Sequence, residues 1–283
     1  MGRMIKVWGA IAAVMGGIAA AGPALAQTPS PLAEWQYSSG IQLQRLFEPT
    51  IPTWEVELGL GTSLQPAAPG LERYKIQAGP AIDIRYKDRF FLSSGEGIGA
   101  NLFSFRHISV GAAITYDLGR SPHIDGRDLN GLGTIHPTPE IKIFATWVVS
   151  KSFPLTIRVD ERKQLGASYG YIGDVGAYMP MPGSSEKFAW FFGPTLTWAN
   201  TRYMNTYFGV SHTQAASTRY SYYKPHGGLD STGAGLSADY FINPHVIINV
   251  DAAYSRLLSS ASNSPITQNS NQGFVSITGL YKF

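Results

Sequence analysis

The sequence predicts an all-β chain: a transmembrane antiparallel β-barrel of the outer membrane with about twelve strands, ten being the alternative. Three features predict it: an amphipathic last strand that ends on an aromatic residue, an export signal at the other end, and alternating segments between them.

In the last strand, Val275, Ile277, Gly279, Tyr281 and Phe283 share one face, and Ser276, Thr278, Leu280 and Lys282 share the other. Side chains along a strand alternate with period two, so one face is apolar and closes on two rings. In outer-membrane barrels such rings sit at the membrane interface. Tyr281 and Phe283 are therefore expected to form the assembly signal read by the barrel-assembly machinery, a role carried over from such barrels in general.

At the other end, Arg3 and Lys6 supply a positive start, Val7 to Ala21 an apolar run, and Ala24-Leu25-Ala26 a small-residue cleavage site. The uncharged run is shorter than the roughly 20 residues a bilayer-spanning helix needs. Gly16, Gly17 and Gly22 weaken it further as a permanent helix. The expected organisation is a cleaved signal peptide (1–26), a polar periplasmic arm rich in proline (27–52) and a barrel (53–283).

Composition agrees. Charged residues make up 14% of the chain, against a usual ~25%, while aromatics reach 12% and glycines number 31. That leaves little charge for an ordinary solvated surface. The chain has no cysteine, which excludes disulfides, thiolate metal sites and a Cys nucleophile. A net charge of +3 with scattered basic residues gives nucleic-acid binding no support.

From Trp54 onward the segments sort by face. Ile76, Ala78, Ile82, Ile84 and Tyr86 oppose Lys75, Gln77, Asp83 and Arg85, and Ile108, Val110, Ala112, Ile114 and Tyr116 oppose Ser109, Gly111, Thr115 and Asp117. Ala234, Leu236, Ala238, Tyr240 and Ile242 oppose Gly235, Ser237 and Asp239; Ile248, Val250, Ala252 and Tyr254 oppose Asn249, Asp251 and Ser255. A charge on the lipid face costs roughly 2–4 kcal/mol at the midplane, so the polar faces look inward. Tight connections at Ser152–Pro154, Met181–Ser185 and Phe241–His245 alternate with long ones over roughly 119–138, 200–228 and 259–271. Short turns belong to the periplasm and long loops to the outside. Arg89 to Phe105, with Gly95, Gly97 and Gly99, reads as one bulged strand or two short ones.

Five stretches in order resemble the MipA/OmpV family of outer-membrane proteins. They are Trp198-Ala199-Asn200 through Ser211, Tyr254-Ser255-Arg256-Leu257-Leu258 with Ser264-Pro265, Arg89-Phe90-Phe91-Leu92-Ser93, Tyr116-Asp117-Leu118-Gly119-Arg120, and Gly131-Leu132-Gly133. The resemblance implies a non-catalytic barrel whose named member is a scaffold bridging a lytic murein transglycosylase and a murein synthase in the periplasm. Other members are described as porin-like or adhesive. The sequence departs from the family pattern at Asn200-Thr201 and Ser262-Asn263, where acidic residues are common, which puts cation binding at those loop bases in doubt.

Two groups of residues are candidates for function. The 200–228 loop carries Tyr203, Tyr207, Phe208, Tyr220, Tyr222 and Tyr223 beside Arg202, Arg219, Lys224, His212 and His226. Rigid rings near cations suit recognition; the blander and favoured reading folds them over the barrel mouth. The lumen charges Glu55, Glu57, Asp83, Arg85, Lys142, Arg158, Asp160, Arg162, Asp174, Asp239 and Asp251 either line a wet pore or pair and plug it. Mixed signs favour pairing. The histidines are scattered through turns and loops; His123 and His136, with Asp125 and Asp128, are the one set that could gather, without a recognised metal or catalytic spacing. No enzyme activity and no cofactor are therefore expected, and outer-membrane lipid is the expected surrounding.

Cleavage is expected between Ala26 and Gln27, because small residues stand at Ala24 and Ala26. N-terminal sequencing of the exported protein checks this; a mature chain beginning at Met1 is the opposing result.

Overall fold

The computed structural model describes residues 51–283 apart from 106, 126, 150–154, 167–169 and 186. The predicted signal peptide, the arm as far as Thr50 and the Ser152–Pro154 turn lie outside the described residues. Twelve strands form a closed antiparallel barrel in sequence order. They are β1 (Trp54–Pro66), β2 (Tyr74–Tyr86), β3 (Phe90–Ser93), β4 (Gly97–Phe105), β5 (Ile108–Asp117), β6 (Thr138–Val148), β7 (Thr156–Gln164), β8 (Tyr171–Pro180), β9 (Phe188–Ala199), β10 (Gly228–Asn243), β11 (Val246–Leu257) and β12 (Asn271–Lys282). The seam pairs β1 with β12 in the register Leu58↔Tyr281 to Leu64↔Val275. Closure leaves no sheet edge at the ends of the sequence, which is what hydrocarbon demands of a spanning sheet.

The Arg89–Phe105 stretch resolves into two strands, β3 and β4, which makes the count twelve. Gly97 permits this. Its φ of +87° is a left-handed conformation, and a Cβ there would stand 2.1 Å from the Ile114 carbonyl oxygen. The hairpin is short: β2 pairs with β3 only over Asp83–Tyr86, and β4 pairs with β5 only as far as Ile98↔Ile114. Above that level Thr115, Tyr116 and Asp117 pair with β6, and the outer part of β2 pairs with β1.

The inward faces are those the alternation predicts. On β11, Asn249, Asp251 and Ser255 are buried while Val250 and Tyr254 are exposed on the lipid side; on β12, Ser276 and Thr278 are buried while Val275 and Ile277 are exposed. Exposed rings ring both ends of the wall. Trp54, Phe90, Phe188, Tyr240, Tyr281 and Phe283 stand at the short-turn end, and Tyr74, Tyr171 and Tyr254 at the long-loop end. Such girdles place the apolar band between two interfaces.

Phe283 lies at the short-turn end, where its backbone N–H donates to the Val56 carbonyl at 3.0 Å and its ring meets Tyr281 edge-on at 4.9 Å. The β10–β11 turn beside it is held by the Asn243 Oδ1, which accepts from the His245 N–H (2.8 Å) and the Val246 N–H (2.9 Å). At the other end the long connections are folded. They carry α1 (Pro122–Asp125), α2 (Thr201–Phe208), α3 (His212–Ser217) and α4 (Ser259–Ser262). No helix among the described residues is long and apolar enough to cross a membrane.

Ile248→Arg and Val250→Arg are expected to impair insertion by up to about 2–4 kcal/mol near the midplane, and Asn249→Arg to be tolerated better because it faces the lumen. Urea titration of the folded, heat-modifiable form in lipid vesicles measures the gap. Equal damage from all three contradicts the assigned faces.

Candidate functional site: a plugged lumen beneath a folded lid

All eleven charges predicted to face the lumen are buried there. They gather in clusters along the lumen wall. At the periplasmic end the Lys282 Nζ, on β12, lies 2.9 Å from the Glu55 Oε1 and 3.9 Å from the Glu57 Oε1. On the neighbouring strands β11 and β10 the Asn249 side-chain amide donates to the Asp239 Oδ1 at 3.3 Å. Directly across the β1–β2 ladder from Glu55 and Glu57, Arg85 makes a two-pronged pair with Asp83, at 2.8 and 2.9 Å. Toward the outside Arg162 bridges Asp160 (3.5 Å) and Asp174, and Thr197 donates to the second Asp174 oxygen at 2.5 Å. Asp251 accepts from the Ser276 hydroxyl at 3.1 Å.

The centre of the plug is a residue whose place in the lumen strand alternation does not reveal. Glu96, in the β3–β4 turn, is fully buried, and one of its oxygens lies 4.0 Å from both the Arg85 and the Arg158 guanidinium groups. Because the hairpin stops half-way up the wall, its turn bends inward and delivers a carboxylate between two cations. Arg158 also stacks on Phe144 at 4.2 Å, and Arg85 approaches Phe91 at 5.4 Å. Phe91 and Phe144 touch each other, with ring centroids 6.0 Å apart. Each guanidinium thus lies between a carboxylate and a π face, while the Glu96 oxygens and the Arg158 nitrogens make no hydrogen bond among the described residues. Buried Lys142 also contributes charge beside Glu96.

Above the plug the outer loops close the mouth. Ala67, Ala68 and Leu71 from the β1–β2 loop, Leu129 and Leu132 from the β5–β6 loop, Val210 and Tyr220 from the β9–β10 loop, and Ile266 from the β11–β12 loop form one apolar core. A second core joins Met204, Tyr207 and Phe208 of α2 to Ile172, Ala199, Leu257 and Ala261. Two caps fix the helices. Asn200 Oδ1 accepts from the Tyr203 N–H at 3.0 Å, and Ser211 with Gln214 forms a reciprocal capping box. The Ser-x-x-Gln spacing is legible in the sequence and marks α3. At the family's acidic position, Asn200 serves as a helix cap, a task that asparagine and aspartate perform about equally well.

The stretches that carry the family resemblance meet at this lid. The Tyr207 hydroxyl donates to the Asp117 Oδ2 at 2.5 Å, the Arg120 guanidinium donates to the Tyr207 carbonyl at 2.7 Å, and the Ser264 hydroxyl donates to the Phe208 carbonyl at 2.7 Å. The Gln214 amide donates to the Leu132 carbonyl at 2.6 Å. Burial, together with the Asp117 carboxylate, holds the phenol groups of Tyr203 and Tyr207 well above their ordinary titration range. These hydroxyls stay protonated and able to donate.

Of the six candidate recognition residues, Tyr207, Phe208 and Tyr220 are buried in the lid cores, and Tyr203 and Tyr223 pack against them. Tyr222 is exposed and stacks on His212 at 3.9 Å. The structure does not gather His123, His136 and Asp128: both histidine rings are exposed, and Asp128 accepts from Arg219 at 2.6 Å. Among the described residues no group of three or more His, Asp and Glu is placed to hold a metal. Between lid and plug lies a cavity of about 180 Å³, walled by Asp117, Glu140, Arg162, Asp230, Leu257 and Phe274 and roofed by Tyr203 and Tyr207.

Glu96→Ala leaves Arg85 and Arg158 facing each other without their shared carboxylate. A loss of about 3 kcal/mol of stability is expected, as for other broken buried pairs, and Arg158→Met in the Glu96→Ala background should recover part of it. Unfolding in urea, followed by tryptophan fluorescence, checks both; an unchanged midpoint in Glu96→Ala contradicts the plug.

Comparison with known proteins places this geometry. The family model described as "MltA-interacting protein MipA" matches residues 58–283. The outer membrane protein Omp26La of Vibrio anguillarum is 29% identical over 198 residues, covering 69% of this chain and 70% of that protein. Outer membrane protein OmpV of Vibrio cholerae serotype O1 is 27% identical over 197 residues, again 69% of this chain and 70% of the relative. Among solved structures, a NanC porin shares 10% identity over 81% of this chain and 100% of its own, with a TM-score of 0.38. A bacterial polysaccharide outer membrane secretin shares 11% over 81% and 98%, with a TM-score of 0.42. With its twelve-stranded barrel and a match over most of its length, the chain belongs to the MipA family of Gram-negative outer-membrane proteins.

Proposed function

We propose that the protein is a non-catalytic scaffold of the envelope that holds murein-synthesis and murein-remodelling enzymes at the inner face of the outer membrane. The observation that carries this reading is the doubly closed lumen: paired charges fill its middle and packed loops cover its mouth. A barrel built this way gives up conduction and keeps a rigid membrane anchor. The family name, MltA-interacting protein, supports a lytic transglycosylase as one partner. A murein synthase is the second, as the family resemblance implies.

Periplasmic contact falls to the tight turns and to the arm from Gln27 to Pro52. Trp35, Tyr37, Leu43, Leu46 and Phe47 are its large apolar groups. Such groups dominate contact energy and are its expected anchors. The non-catalytic reading is supported by the histidines: all six are exposed, where no buried carboxylate orients them as a general base.

Planar-bilayer recording of the purified protein is expected to show little or no conductance. Removing 27–52 is expected to leave a heat-modifiable barrel but to release the murein enzymes from pull-downs. Free conduction by the intact chain, with every partner retained by the truncated one, turns the reading to a porin-like channel for small polar solutes.

A further inference from the structure

The wall has a gap that the strand count hides. Ile82 both donates to the Ser94 hydroxyl and accepts from the Ser94 N–H, so its backbone polar groups point toward β3. In a strand the backbone polar groups alternate sides with period two. Pro80, Ala78, Ile76 and Tyr74 therefore point theirs the same way, above the level where β3 ends. Across the gap Tyr116 and Asp117 of β5 have also outrun β4. The floor is the β3–β4 turn, where the Tyr116 hydroxyl donates to the Ser94 carbonyl at 3.0 Å. Three inter-strand steps of about 4.8 Å separate β2 from β5 at this point, in the half of the wall nearer the long loops.

An unpaired strand edge facing hydrocarbon is costly and is tolerated at membrane depth where it lines a polar cavity. Pro80 fits such an edge: it removes one donor that no strand is there to accept. Both rims of the gap reach the cavity under the lid, since Lys75 lines it from β2 and Asp117 lines it from β5. Tyr203 and Tyr207 of α2 line the cavity on the loop side, and Lys75 and Asp117 carry its wall to the two rims of the gap.

A second, independent feature lies on the far wall. β10 slips register against β9 between Leu229 and Ser231, leaving Asp230 as the extra residue of a bulge. Both Asp230 and Ser231 are buried, against the alternation, and Asp230 lines the cavity. Bulges re-aim side chains, and this one turns a carboxylate inward. Asp230 is 8% exposed, and its Oδ1 has no hydrogen-bond partner among the described residues. The neighbouring charges are otherwise engaged: Arg162 holds Asp160 and Asp174, and Asp117 accepts from Tyr207 and Gln164. A donor carrying positive charge is what this carboxylate oxygen matches, and Leu257 and Phe274 supply apolar surface beside it.

We propose that the cavity binds small amphipathic amines that enter sideways from the outer leaflet, through the gap between β2 and β5, with the ammonium on Asp230 and the apolar tail directed back toward the gap. At about 180 Å³ the cavity holds the volume of about six waters at ~30 Å³ each, room for a head group and the first carbons of a chain. The site stands independently of the scaffold reading, since neither the arm nor the periplasmic turns contribute to it.

The test uses the full mature protein in lipid nanodiscs, with heat-modifiability selecting folded variants. n-Decylamine, n-decanol and n-decanoate are the probes, titrated by calorimetry. Saturable binding is expected for decylamine, at least tenfold weaker in Asp230→Asn and in Asp230→Ser, and none for decanoate. For the route, the chain's lack of cysteine allows single labels. N-decylmaleimide is expected to modify Gly79→Cys, on the β2 rim, faster than Ser237→Cys, a fully buried lumen position on β10; decylamine should slow the rim reaction. Equal binding of decanoate and decylamine, unchanged decylamine binding in both Asp230 variants, or a rim no faster than Ser237→Cys overturns the proposal.

Discussion

A strand that crosses hydrocarbon finds no water for its N–H and C=O groups, so each must be matched within the sheet or face a polar cavity. That constraint explains why the last strand returns to the first. The β1–β12 ladder joins residues at opposite ends of the barrel sequence, and the terminal Phe283 N–H is spent on the Val56 carbonyl. Closure in turn dictates the two faces. Isoleucines, valines and leucines cover the outside, and the inward positions are free to carry charge because they never meet lipid.

Once charges line so narrow a space, their pairing follows from the same dielectric argument. A lone buried ion is far costlier than a pair, and a pair is costlier than a pair with further partners. The lumen meets this with mixed signs at each level and with aromatic faces behind the two central guanidinium groups. The lid repeats the pattern in a wetter setting. The buried Tyr207 hydroxyl and Arg120, from the loop after β5, tie α2 down, so helix, strand and loop form one roof.

The shortened β3–β4 hairpin links these layers. Its arrest half-way up the wall puts Glu96 at the centre of the plug, and the same arrest leaves β2 and β5 apart above it. Sealing and opening thus come from one structural choice, made possible by a left-handed glycine at position 97. Rigidity at the centre and access at the side are compatible because the two features lie on opposite sides of one turn.

The sequence by itself determined the class of fold, the lumen and lipid faces, the end of the barrel bearing the long loops and eleven of the buried lumen charges, but not Glu96, Glu140 or Asp230. These follow from period two, turn length and the cost of charge in lipid, all local properties. It left the Arg89–Phe105 stretch open between one strand and two. Folding of the long loops into capped helices was half legible, in the Ser211–Gln214 spacing but not in the α2 contacts. Only the tertiary structure decided which charges meet, that the Glu96 turn bends inward, and that the Asp230 bulge breaks the alternation. The physical reason is that register and bulges are fixed by partners far away in the chain. A side chain in a turn or a bulge has no face until those partners arrive.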